Sequence, residues 1–236
     1  MPTLSRVFVS LLFASAPLFA AADPTEHSPQ PIDRWASAVG GREKVAAIKS
    51  IYREATVELM GGMQGTIKAW HTADGKYRKE EQVGSYSTVE TFDGTNGSSE
   101  QNGAPVHAMA GPELERARSA AYANSNAMFF AFFPERRHGD VVLEGDGTLV
   151  LKPAGGIDWR VTLDPQTWLP KTMTHQEGER TITVTFVSYE TVDGLQIEKE
   201  IHRSMGDPRF GATIRFTKTV INPPVDAAMF APPPQK

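Results

Sequence analysis

Thr181-Ile182-Thr183-Val184-Thr185-Phe186 alternates a polar and an apolar side chain at every step. Neighbouring side chains of a strand point to opposite faces, so this pattern is a strand with one buried and one wet face. The alternation recurs in both directions along the chain. Ala55, Val57 and Leu59 alternate with Glu54, Thr56 and Glu58, and Trp159, Val161 and Leu163 alternate with Asp158, Arg160 and Thr162. Further on, Ile197 and Ile201 lead into Ile214 and Phe216. Turn pairs punctuate the series: Gly61-Gly62, Asp74-Gly75, Asp93-Gly94, Asp164-Pro165 and Asp193-Gly194. The reading is about ten strands between Ile51 and Val220, joined as hairpins into one antiparallel sheet with a single oily face. The stretch Ser98 to Pro105 is weakly patterned and receives no element.

Helices are few. Asp33 is placed to cap a short helix from Arg34 to Val39, which Gly40-Gly41 ends, and Arg42 to Lys49 adds a further turn or two with Val45 and Ile48 buried. Gly111-Pro112-Glu113 opens a longer helix, Leu114 to Phe133, stopped by Pro134. Its second half holds Met128, Phe129, Phe130, Phe132 and Phe133. Four phenylalanines in five positions exceed one narrow stripe, so some face the sheet and others meet something else. Asp226 to Phe230 reads as a last helical turn.

Width decides the architecture. Ten strands at about 4.8 Å spacing make a sheet roughly 50 Å across, whereas a helix with its side chains is about 10–12 Å wide. A flat sheet of that width would stay uncovered, so it must curl around the phenylalanine-rich helix. The expected fold is α+β, mainly β: a curled antiparallel sheet forming an incomplete barrel, with helices over its concave face. Whether that hollow is filled or holds a ligand, the alternation alone leaves open.

The 236-residue chain has no cysteine and a formal net charge of −4. Arg6, the apolar stretch Val7–Phe19 and Ala20-Ala21-Ala22 form a cleavable secretion signal over residues 1–22, with cleavage before Asp23. A disordered leader, 23–31, precedes one domain over 32–232 and a short tail, 233–236. Export without cysteine means a fold that stands on packing alone, with no lipid-bearing cysteine and no transmembrane segment in the mature protein. Basic residues are scattered, which speaks against nucleic acid as a partner.

Several segments carry a resemblance. They are Val39-Gly40-Gly41-Arg42-Glu43-Lys44, Thr66-Ile67-Lys68 with Tyr77-Arg78, Phe92-Asp93-Gly94, Leu163-Asp164-Pro165-Gln166-Thr167 with Leu169-Pro170, Tyr189 with Val192-Asp193-Gly194, and Asn222-Pro223-Pro224 with Asp226 and Phe230. In order and spacing they resemble the LolA/LolB-like outer-membrane lipoprotein-sorting superfamily, over about Trp35 to Pro232. More closely they are similar to its stand-alone periplasmic domains and to the N-terminal domains of some secreted aspartyl proteases. The resemblance implies an incomplete barrel that shields acyl chains, and it transfers no catalytic residue. Ser98 stands where a tryptophan is usual after the Asp-Gly turn, and Glu198 where a proline is common after Val-Asp-Gly. The first departure is expected to loosen packing or ligand contact at that edge.

No catalytic constellation emerges. The six histidines lack metal-ligand spacing, Asp93-Gly94-Thr95 has the wrong order for an aspartic protease, and no Gly-x-Ser-x-Gly elbow is present. Glu80 and Glu81 are strand neighbours and point apart. No metal or cofactor is implied. The expected function is a non-enzymatic periplasmic binding protein or chaperone for an apolar ligand, a lipid or lipoprotein acyl chain, with a delivery partner at the outer or inner membrane. Its expected binding residues are Met128, Phe129, Phe132 and Phe133 on the helix and Trp159, Val161, Ile182, Val184 and Phe186 on the wall. Methionine and phenylalanine make adaptable apolar walls. The alternatives are an interaction or accessory module with a filled core, and a hydrolase built from carboxylates distant in sequence.

Overall fold

The computed structural model describes residues 30–123 and 126–231, the side chains of Pro208 and Arg209 excepted. The expected signal, most of the leader and the tail fall outside these residues. Among these residues thirteen strands form one sheet. In chain order they are β1 Ser50–Leu59, β2 Gln64–Thr72, β3 Tyr77–Val83, β4 Tyr86–Phe92, β5 Gly97–Gln101, β6 His107–Ala108, β7 Gly139–Leu143, β8 Leu149–Pro153, β9 Trp159–Leu163, β10 Pro170–Glu177, β11 Arg180–Val192, β12 Leu195–Met205 and β13 Asp207–Ile221.

Every pairing is antiparallel, and every neighbour is a hairpin partner except where β1 meets β13. The spatial order runs β6-β5-β4-β3-β2-β1-β13-β12-β11-β10-β9-β8-β7. The two edges, β6 and β7, do not pair, so the barrel is incomplete. Register shifts at Glu54/Ala55, at Phe186/Ser188 and at Ser204/Met205 interrupt the central ladders. Such bulges add local twist and bend the strands that carry them, which lets so wide a sheet curl.

Three strands were not legible in the pattern: β5, β6 and β10. In β5, Gly-Ser-Ser-Glu-Gln, the buried face is made by Gly97, Ser98 and Ser99 rather than by apolar residues. In β10 the buried positions are Pro170, Met173 and His175 among threonines and lysine.

Four helices pack on the sheet: α1 Pro31–Val39, α2 Arg42–Ala46, α3 Gly111–Tyr122 and α4 Ala127–Phe132. The first begins earlier than expected. Pro31 takes the first helical position and Gln30 the cap, so Gln30 and Pro31 belong to the domain rather than to a leader. Asp33 makes no side-chain cap. It sits in the first turn and pairs with Arg42 at 2.7 Å. The helix expected from Leu114 to Phe133 is two helices. By Ala123 the backbone is extended (φ −101°, ψ 172°), and α4 starts at Ala127. Asn124, Ser125 and Asn126 stand between them in sequence, residue types whose side chains compete for main-chain hydrogen bonds. A 3-10 turn, Ala227–Phe230, closes the described chain, with the Asp226 carboxylate accepting from Ala228 N–H as its cap.

The main core joins Trp35 and Val39 of α1, Val45 and Ile48 around α2, all of α4, and the inner faces of β8–β12. A smaller cluster holds Tyr77 and Phe92 against Ala117 and Ala121 of α3, with Met109. Turn motifs tie these layers together. Gly40 ends α1 at φ +129°, where a Cβ would come within 2.5 Å of the Gly194 carbonyl oxygen. Lys44 donates to that same carbonyl. Asn222, at φ +54°, accepts from Lys49 N–H at 2.6 Å and donates to the Ala47 carbonyl.

Candidate functional site

The hollow of the curled sheet is occupied by α4, Ala-Met-Phe-Phe-Ala-Phe. All six of its residues are buried. It packs against α1, α2, α3 and β8. An isolated six-residue segment does not hold a helix in water, so packing holds this one. Trp35 of α1 meets Phe132 edge to face at 5.0 Å, and Tyr122 of α3 meets Phe130 at 4.8 Å.

The C-terminal carbonyls of α4 have partners from outside the helix. Arg42 donates from Nη1 to the Phe132 carbonyl, and Arg137 donates from Nη1 to Phe130 at 3.1 Å and Ala131 at 3.3 Å. Both guanidiniums thus sit at the negative end of the helix. Burial lowers the Arg137 pKa, against the pull of Asp140 and Glu135.

Among the described residues, three spaces are lined in part by α4. Beneath Met128 lies a void of about 30 Å³, walled by Trp35, Ile51, Met173 and Phe186 and reaching Glu198. Beside Phe129 and Phe130 lies one of about 10 Å³. At the far side of the helix a partly open cleft of about 250 Å³ runs between the start of α1, the end of α4 and strands β7 and β8. Ile32, Phe132, Pro134, Val141, Leu143 and Leu149 supply its apolar wall, and Arg42 and Arg137 its charge.

The expected binding residues divide among these spaces. Met128 and Phe186 line the small void, Phe129 the smallest, and Phe132 the cleft. Phe133, Trp159, Val161 and Val184 are buried in the main core, and Ile182 is fully buried on β11. The cleft residues Ile32, Arg42, Arg137, Val141, Leu143 and Leu149 were not among those expected. The Trp159 and His175 rings lie 4.0 Å apart between centroids, tilted by 38°. Tyr189 donates to the Pro170 carbonyl at 2.6 Å, pinning β11 to the start of β10, and burial raises its pKa.

No protein-family model matches this chain, and no curated protein matches it. Among solved structures, a DUF1329 family protein from Desulfovibrio piger ATCC 29098 aligns with a TM-score of 0.54 at 12% identity, over 85% of this chain and 95% of that one. A LolA superfamily protein from Nitrosomonas europaea aligns with a TM-score of 0.50 at 7% identity, over 86% and 97%. The fold is LolA-like. At these identities the likeness concerns the fold alone.

Within this LolA-like frame the two departures have structural counterparts. Ser98 is buried on β5, and its hydroxyl shares a hydrogen bond with that of Thr91 at 2.7 Å. At the preceding residue Met109 packs against the strand, since a Cβ on Gly97 would come within 2.4 Å of the Met109 sulfur. That edge is packed, contrary to the expected loosening. Glu198 pairs with buried Arg53. Elsewhere on the sheet the charge run of β3 splits by parity as strand geometry requires: Arg78 with Glu80, and Lys79 with Glu81 and Glu90. Among the described residues no group of three or more His, Asp or Glu is placed to hold a metal ion. No helix among them is long and apolar enough to cross a membrane.

Proposed function

We propose that this chain is a non-enzymatic, exported binding protein for an apolar ligand, a lipid or lipoprotein acyl chain, working in the periplasm with a membrane-bound delivery partner. One observation supports the reading: the hollow of the incomplete barrel is filled by a short, wholly buried helix, which on this reading is a plug that a ligand replaces. Burying one phenylalanine is worth about 1.5–3 kcal/mol, so Phe129, Phe130, Phe132 and Phe133 together contribute about 6–12 kcal/mol as an upper bound. An alkyl chain of about twelve methylenes, at about 0.8 kcal/mol each, offers about 10 kcal/mol. The two are of one size, so a ligand offsets what the helix gives up on leaving the hollow, and the phenylalanines that bury again against the ligand supply the net affinity. Met128, Phe129, Phe132 and Phe133 would then move from core to ligand wall, facing Trp159, Val161, Ile182, Val184 and Phe186.

The test is twofold: mass spectrometry of solvent extracts from protein purified out of a bacterial envelope, and titration of the delipidated protein with fluorescent fatty probes. Co-purifying lipid and saturable probe binding support the reading. A protein that emerges empty and ignores the probes sinks it.

A second reading rests on the small size of the void beneath Met128, about 30 Å³. With the interior this full, the chain would be an interaction or accessory module, related to the N-terminal domains of secreted aspartyl proteases. It predicts no probe binding and a partner protein that supplies activity.

A further inference from the structure

We propose that the cleft between α1, the end of α4 and edge strand β7 binds the head and first methylenes of a single-chain anionic amphiphile, a carboxylate or phosphate monoester on an alkyl chain. The proposal deepens the carrier reading and rests on it.

Charge and shape both point there. At about 250 Å³ the cleft approaches the lower bound of about 300 Å³ for small-molecule sites. Two guanidiniums line it and, among the described residues, no carboxylate does. They come from distant parts of the chain, Arg42 at the start of α2 and Arg137 just after the 3-10 turn Pro134–Arg136, and the end of α4 brings them together. Arg137 has no ion-pair partner among the described residues. It donates only to the neutral carbonyls of Phe130, Ala131 and Gly139. Asp140 and Glu135 act on it from a distance without lining the cleft. Arg42 has one carboxylate, Asp33, whose side chain is 49% exposed. Exposed carboxylates bind weakly and are easily exchanged.

An ionised head is a stronger acceptor than the main-chain carbonyls both arginines now use, and the planar guanidinium fork matches carboxylate and phosphate alike. The apolar side explains the chain. Leu143, on an edge strand, is 44% exposed at one wall. Phe132 and Leu149, at the floor, belong to the main core. An alkyl tail whose head sits at the arginines therefore starts on an apolar surface and points toward the helix it would displace.

The experiment titrates the delipidated mature chain with dodecanoate, dodecyl phosphate and dodecanol, and separately with acetate and inorganic phosphate. The expected result is that both anionic amphiphiles bind at least tenfold more tightly than dodecanol, with a gap that narrows as salt rises. Whichever of the two binds more tightly assigns the head as carboxylate or phosphate. In Arg137→Gln, which leaves Arg42 alone at the cleft, the ratio of anionic to neutral affinity should fall severalfold. If that variant does not fold, the comparison of heads on the unaltered chain decides by itself, and Leu143→Asn, at an exposed position, should weaken all three alkyl probes. Equal affinity for anionic and neutral heads overturns the proposal and leaves the carrier reading standing. Displacement of dodecyl phosphate by inorganic phosphate at comparable concentration reveals a plain anion site and also overturns it. Failure of every alkyl probe removes the carrier reading as well.

Discussion

Arg53 of β1 reaches across the intervening strand β13 to Glu198 of β12, donating to both its carboxylate and its main-chain carbonyl. On the way its guanidinium lies 3.2 Å above the Phe216 ring. Arg53 is almost completely buried and the Glu198 side chain is 12% exposed. Burial lowers the arginine pKa, and the neighbouring Glu198 carboxylate opposes that. The pair fixes three strands in register on the concave face.

Breaking a buried pair from one side leaves a charge without its counter-charge, at a cost of about 3–5 kcal/mol. Glu198→Leu and Arg53→Met should each lower stability by that order in urea denaturation. The double variant should recover most of the loss, because replacing both charges removes the desolvation cost along with the attraction. A double variant as unstable as the sum of the singles would show that the two side chains act independently.

His71 predicts the acid side of the stability curve. Burial, with Arg53 and Lys79 nearby, lowers its pKa from the ordinary 6.5 to about 4. Its Nδ1 is buried without a hydrogen-bond partner. The unfolded chain therefore takes up a proton between pH 6.5 and 4 that the folded chain refuses. Stability from this group is complete above 6.5, falls as pH drops toward 4 and is constant below it. At pH 5 the loss is about 1–2 kcal/mol relative to pH 7.5. His175, also lowered by burial, adds a change of the same sign. In His71→Gln the difference in urea midpoint between pH 7.5 and pH 5 should shrink, and an unchanged difference would refute the assignment.

Ile182, Val184 and Phe186 were legible because strand periodicity and burial agree there, and the turn pairs between strands were legible because Gly and Asp tolerate turn backbones. β5 was hidden because its inner face is serine and glycine. The burial of Ser98 is made tolerable by one hydroxyl partner, Thr91, that no periodicity reveals. The phenylalanine cluster announced a plug, yet its split from α3 was missed, since Asn and Ser are only weak breakers in a helical pattern. The cleft was illegible for a different reason. Arg42 and Arg137 are far apart in sequence and share no motif, and only the docking of α4 places both at one helix end. The one local signal is an arginine pair, Arg136-Arg137, just after the apolar run and Pro134.

Gly40 and Gly41 look alike in sequence, and the structure separates them. Both have positive φ, +129° and +99°. A Cβ on Gly40 would collide with the Gly194 carbonyl, whereas one on Gly41 meets nothing within 4 Å. Gly41→Ala should therefore lose only backbone strain, about 1 kcal/mol, while Gly40→Ala should lose about 2–3 kcal/mol by also forcing α1 off the turn between β11 and β12. Thermal melts of the two variants give the order directly, and equal losses would mean that the close approach to Gly194 is not tight.

Met128 separates the two functional readings. Its side chain lines the void of about 30 Å³. Met128→Ala should cost about 2–5 kcal/mol, the loss of transfer energy plus the cavity left behind. It also removes part of the burial that holds α4 in the hollow. If α4 is a displaceable plug, weakening it lowers the free energy that a ligand must overcome, and the affinity for dodecanol should rise by a factor of about ten for each 1.4 kcal/mol of plug stability lost. The measurement is probe titration beside urea denaturation of the same preparation. Lower stability with tighter alkyl binding is the signature of a plug in competition with a ligand. Lower stability with no alkyl binding is the signature of a solid core, because a protein with no open state to populate gains nothing from a looser helix.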